Sequence, residues 1–358
     1  VGGGTTDYFI LDQTQVNDEE IGLESGKAYE ASIFFAGNDL WGATYPQSKL
    51  PGIRQYNGFV NYMANAISSC SQEAQKLYKY YGSDKAMADL SGFFFKNDSL
   101  FGFSDKVSNN EKFRFILFLH YAAVIYHLTD ILKAIKKKDI EFKYPEILTF
   151  TGKGSEYINM ISTQTAALSE MTTQLIRAFG ISEFKSIEII RVENPKALTA
   201  DGGIYEMASN LPKKINLFDK DQFGSQFSKS HTLTNTPYER IGKICLGLEP
   251  REEGYAIKDV TSYEVKEKAM ANVKFFADAV FHSDLLEGTR KYLKLNLKDT
   301  DYKQFMEFAS DSYDTHARRF FENNIASASN SLEESVFFFA MKNTLINLSD
   351  YYFKSIKK

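Results

Sequence analysis

This sequence of 358 residues has little sulfur chemistry to offer: its only cysteines, Cys70 and Cys245, are far apart, which excludes both a disulfide framework and a CxxC metal knuckle. That scarcity fits a reducing compartment, and a cytoplasmic location is the expectation. Tryptophan occurs once, at Trp41, against 30 Phe and 21 Tyr. No basic residues interleave regularly with those aromatics, so they read as core material and not as stacking platforms for bases. A net charge of -4 and a pI near 5.9 supply no global basic field for nucleic acid. Long apolar runs are also missing. The closest, 113–132, carries Arg114, His120, His127 and Asp130, and its uninterrupted pieces fall short of the ~20 residues that a membrane span needs. It reads as a buried helix. No GxxxxGK[ST] phosphate loop is present, because in Gly152-Lys153-Gly154-Ser155 the lysine precedes the second glycine. No histidine stands near the serines and threonines in a pattern that suggests a triad. His120 and His127 lie two helical turns apart, too far for one metal without further ligands, and read as core histidines.

What the sequence does have begins at its first residues, Val1-Gly2-Gly3-Gly4-Thr5-Thr6-Asp7, followed by the apolar Tyr8 to Leu11. Three glycines let the backbone bend with its N–H groups bare, two hydroxyls add donors, and a carboxylate adds a metal-side acid. Such a turn wraps a phosphate; it is also what an ordinary glycine-rich hairpin or a leftover tag looks like. Lys27 to Ala36 is a β-rich strand that ends in Ala36-Gly37-Asn38-Asp39-Leu40-Trp41-Gly42-Ala43. From about residue 56 to 144 the pattern turns helical, with Phe59, Tyr62, Met63, Ala66 and Ile67 on one stripe and 113–135 apolar on most sides. Alternation then returns: a strand 146–150, the turn Thr151-Gly152-Lys153-Gly154-Ser155, a helix from Glu156 to about Phe179 closed by Gly180, and a strand 186–192. A glycine turn between a strand and a helix N-terminus presents free N–H groups and the positive end of the helix dipole. Asn194-Pro195 follows, with Ala200 six and Gly202 eight positions on from Asn194. Glu73 and Lys76 have ExxK spacing, which is common on exposed helices.

Taken in order, these elements resemble the second phosphate hairpin, the adenosine turn and the closing Asn-Pro helix of the actin, DnaK-type chaperone and sugar kinase superfamily. Asn38 and Ala43 depart from that family's AGD-x-x-x-G-G turn, Lys153 stands where it prefers glycine, and its acid before the hairpin would precede Val1. The resemblance implies an α/β, ribonuclease-H-like (actin-like ATPase) lobe over 1–212, with a helical insertion at about 56–144. Residues 213–358 match nothing in the superfamily and read as a linker and an all-α, helical C-terminal extension, with helices near 259–286, 302–323 and 331–357; Ser331 and Glu334 form a capping box. By resemblance, ATP and Mg are the cofactors. Gly2, Gly3, Gly4, Thr5 and Thr6 would hold the phosphates, Asp7 the metal and its catalytic water, and Gly152, Gly154, Ser155 and Gly202 the adenosine. The implied partner is a missing N-terminal lobe that completes the cleft, so the fragment alone is expected to be a poor enzyme. A second expectation is a catalytically inactive actin-like scaffold that survives as a protein-interaction module.

Overall fold

The computed structural model describes residues 1, 5–12, 27–33, 35–41, 62, 65–82, 93–94, 96–191, 213–216, 248–251, 254–257, 261–324 and 336–354. Strand β1 (Thr6–Asp12) pairs antiparallel with β2 (Lys27–Ile33), Thr6 opposite Ile33 and Asp12 opposite Lys27. The period of two sorts β1 into a buried face, Thr6, Tyr8 and Ile10, and an exposed face with Asp7 and Phe9. Beyond β2 the chain turns into the short helix α1 (Gly37–Trp41). Helix α2 (Gln72–Tyr81) starts where the Ser71 hydroxyl accepts the Ala74 N–H.

Helix α3 (Glu111–Lys138) is the axis of the molecule. Asn110 caps it by accepting from the N–H groups of Lys112 and Phe113. From Phe115 to Thr129 every side chain is buried, which is why its apolar pattern runs round all sides and not along one stripe. It is long and apolar enough to cross a membrane by length and composition, yet 94% of its most apolar window is buried by the rest of the chain. Strand β3 (Ile147–Phe150) pairs in parallel with β4 (Glu188–Arg191), and α4 (Thr165–Ala178) lies on the crossover between them. Gly180, at φ 107°, ends that helix as its glycine suggests.

The helix expected from Glu156 to Phe179 is broken. A 3-10 turn (Lys153–Tyr157) and one helical turn (Ile158–Ile161) precede α4, and the interruption is fixed by Ser162, whose hydroxyl accepts the Gln164 N–H at 2.9 Å. A local side-chain bond has outcompeted the helix ladder there. The extension beyond residue 212 is also not purely helical. Strand β5 (Lys213–Asn216) adds in parallel to the edge of β2, and β6 (Leu248–Arg251) pairs antiparallel with β7 (Gly254–Ile257). An open strand edge offers unpaired N–H and C=O groups, and even a Lys-Lys-Ile-Asn segment that reads as linker can satisfy them.

Helices α5 (Tyr263–His282), α6 (Asp299–Asn324) and α7 (Val336–Lys354) complete the fold. Their aromatic side chains enter the core that α3 and the strands share. Phe338 meets Phe35 at 4.8 Å and the His127 ring at 5.3 Å, while Phe337 meets Tyr126 at 4.7 Å and Phe276 at 5.5 Å. Each such ring is worth about 1.5–3 kcal/mol of burial. At the other end a polar joint ties three helix ends together: Asp301 accepts from Lys112 at 3.1 Å and from the Tyr352 hydroxyl at 2.8 Å, and its second oxygen accepts the Lys298 N–H. The capping box at Ser331 and Glu334, Cys245 and the Asn194-Pro195 segment lie outside the described residues.

Candidate functional site

The site is built where the start of β1, the end of β2 and the turn after β3 come together. Because Thr6 falls on the inward face of β1, its hydroxyl donates to Phe35 O at 2.6 Å and fastens the first strand to the end of the second. Thr5 Oγ1 lies 3.5 Å from Asp7 Oδ2, and this pair faces outward. At the end of β2 the Asp39 carboxylate accepts the Ala36 N–H at 2.8 Å, while Ala36 O accepts from Asp39 N and Leu40 N. That reciprocal pattern folds the Ala-Gly-Asn-Asp sequence into α1, and Asp39 is a structural residue the sequence reading passed over. Its signal was available: an acid three positions after the residue whose N–H it caps.

The third turn needs its glycine. Gly152 has φ 84°, a region that costs side-chain-bearing residues energy, and a Cβ there would lie 2.5 Å from Val1 O. The Val1 amino group donates to Thr151 O at 2.7 Å. Ser155 closes the turn by donating both its N–H and its hydroxyl to Gly152 O, at 3.1 and 2.7 Å. Gly154 and Ser155 are buried beneath.

His120 of α3 underlies the whole joint. Its Nε2 is 3.0 Å from Ala36 O, its ring stacks on Phe35 at 4.7 Å, and it meets Tyr157 of the 3-10 turn edge to face at 4.9 Å. Desolvation holds its pKa down at about 3, so the ring is neutral. His127 is likewise fully buried, and both histidines are core residues as read from the sequence. Tyr8 donates to Val124 O at 3.1 Å, and Tyr121 lies 2.5 Å from Thr172 Oγ1.

Comparison with known protein families, with curated proteins and with solved structures finds no match. The geometry therefore stands alone. Of the residues singled out in the sequence, Thr5, Thr6, Asp7, Gly152, Gly154 and Ser155 are described, and Val1, which opens the glycine hairpin, touches the Gly152 turn. Gly2, Gly3, Gly4 and Gly202 lie outside the described residues. Thr6 and Ser155 turn their hydroxyls to backbone carbonyls, so their role in the described geometry is to shape the turns. Asp7 is exposed on the outer face of β1, and among the described residues no three His, Cys, Asp or Glu side chains gather as a metal site. Glu73 and Lys76 are exposed on α2.

Proposed function

We propose that this chain is the nucleotide-binding half of an actin/DnaK-like ATPase, contributing phosphate and adenosine contacts to a cleft that a second lobe completes. The observation that carries the reading is the contact between Val1 and the turn after β3, 150 residues on, Val1 N to Thr151 O with Gly152 pressed against Val1 O. In this reading the glycine-rich segment that Val1 opens and the glycine turn at the end of β3 would offer backbone N–H groups to one region, the chemistry that holds a di- or triphosphate and its nucleoside. Thr5 and Asp7 stand outward beside it. In this reading Thr5 offers a hydroxyl to phosphate oxygens and Asp7 a carboxylate to the waters of Mg²⁺, whose charge offsets that of the phosphates. The ribonuclease-H-like topology of the lobe belongs to the same proposal. Helical structure with small mixed sheets is compatible with it.

One observation favours a different reading, the inactive scaffold. Thr6 and Ser155 already spend their hydroxyl protons inside the protein, and among the described residues Asp7 belongs to no group of three or more His, Cys, Asp or Glu side chains. A backbone-resolved NMR titration with Mg-ATP separates the two. A nucleotide shared between two lobes loses about half its contacts when one is gone, and each lost charge-assisted phosphate bond costs about 1.5–3 kcal/mol. The ATPase-half reading therefore expects weak, millimolar binding with shifts confined to residues 1–7, 151–155 and the segment around Gly202. Shifts elsewhere, or none at all, favour the scaffold; micromolar affinity would show a site that is not shared.

A further inference from the structure

Beneath the joint two buried polar atoms of opposite character are left over. Nε2 of His120 faces Ala36 O, and a carbonyl only accepts, so Nε2 carries the proton and Nδ1 presents a lone pair. Nδ1 is buried with no hydrogen-bond partner. The Tyr157 hydroxyl is likewise buried with no partner, and the phenol stays protonated because burial raises its pKa well above the ordinary value. One group lacks a donor and the other lacks an acceptor. They belong to rings in edge-to-face contact, centroids 4.9 Å apart at 89°.

Among the described residues no neighbouring hydroxyl makes good the loss by donating to Nδ1. The proton of Tyr8 goes to Val124 O. Thr172 donates to Leu168 O at 2.6 Å, so the short contact between Tyr121 and Thr172 takes the proton of Tyr121. Both phenol oxygens keep lone pairs, and after burial itself these two phenols raise the Tyr157 pKa further. A group that donates to Nδ1, accepts from Tyr157 and has a proton left for such a lone pair is a water molecule. Globular proteins hold on the order of one internal water per ~27 residues, so a chain of this length is expected to hold about a dozen, placed at leftover polar atoms of this kind.

We propose that one internal water bridges His120 Nδ1 and the Tyr157 hydroxyl. It joins the end of β2, held through Ala36 O, to the 3-10 turn that follows Gly152, and makes His120 a positioning residue for both. The inference does not rest on the nucleotide reading, because every residue in it is buried.

Magnetic relaxation dispersion of the water oxygen counts long-lived internal waters and tests this on the intact chain. Tyr157→Phe is expected to lose one such water and to melt at a lower temperature, and His120→Phe to lose the same one. An unchanged count with a raised melting temperature in Tyr157→Phe would mean that the hydroxyl is simply unsatisfied, and would overturn the bridge. Should both variants fail to fold, the wild-type protein decides by nitrogen NMR: a His120 Nδ1 shifted as an acceptor, with cross-relaxation from the Tyr157 hydroxyl proton to water, supports the bridge. An Nδ1 that accepts no bond, or one bonded directly to the Tyr157 hydroxyl, overturns it.

Discussion

Two of the joints in this protein are built on different principles. Where α3, α5 and α7 meet, the contact is apolar and redundant: Phe338 touches Phe35, His127 and Phe337, and Phe337 in turn touches Tyr126 and Phe276. Where Ala36, the Gly152 turn and Val1 meet, single bonds to backbone carbonyls do the joining, from Thr6, His120, Ser155 and Val1 N. The first joint resists small changes of volume but not the arrival of charge. The second has little area to lose and depends on shape at individual atoms.

The strongest test of that contrast is Phe338→Asp. Losing the ring costs about 3–5 kcal/mol and stranding a carboxylate among aromatic rings adds more, together comparable with the ~5–15 kcal/mol that holds a typical domain folded. The variant is expected to be largely unfolded at room temperature by circular dichroism. A wild-type melt would show that α7 is an arm and not part of the core.

Acid is the next lever, and it acts on buried histidines and on a buried carboxylate with opposite sign. His120 and His316 have folded pKa values lowered by burial to about 3 and about 4, so the unfolded chain binds their protons first and stability falls as pH drops below about 6.5. Asp130 is buried on α3 beside Lys133, 2.5 Å away, with its pKa raised by burial to about 6; the folded state takes up that proton first, and stability rises as pH drops from about 6 to 4. Two histidines outweigh one carboxylate, giving from these three groups a net loss on the order of a few kcal/mol between pH 6.5 and 4. Denaturant unfolding across that range measures it. Asp130→Asn is expected to steepen the acid limb, and an unchanged slope would remove Asp130 from the account.

The smallest effect is the most specific. Gly152→Ala forces a side chain into φ 84° and drives its Cβ toward Val1 O, for a cost of about 2–3 kcal/mol. Gly102 supplies the control, since at φ 55° its Cβ would meet nothing within 4 Å and Gly102→Ala is left with the backbone term alone, about 1–2 kcal/mol. The difference between the two melts reads out the contact between the turns. Equal losses would mean that Val1 gives way and that the turn joint is soft.

Sequence reading reached the two joints unequally. The all-round apolar run of α3 announced burial, and the β-rich runs around 8–11, 27–36, 146–150 and 186–192 became strands, because periodicity and β-branching act locally. The meeting of Val1 with Gly152 was expected only by resemblance, since no local pattern brings residues 150 apart together. The break at Ser162 was missed because a helix former and a helix breaker differ there by one side-chain bond to Gln164 N. The pairing of β5 with β2 was missed for the opposite reason. Its four residues have no strand pattern of their own and take their conformation from the edge they cover.

The complete burial of α3 has a consequence in time. A ribosome releases Lys138 about 200 residues before Val336, and at ~5–20 residues per second the helix waits roughly 10–40 s for the last of its covering partners. Helix formation itself is over within microseconds. During that wait the nascent chain carries a formed 28-residue rod that is apolar on most sides, with β1 and β2 already made to take one side and α7 still unmade. Through that wait the rod exposes apolar surface of the kind that aggregates or recruits chaperones until α7 is made.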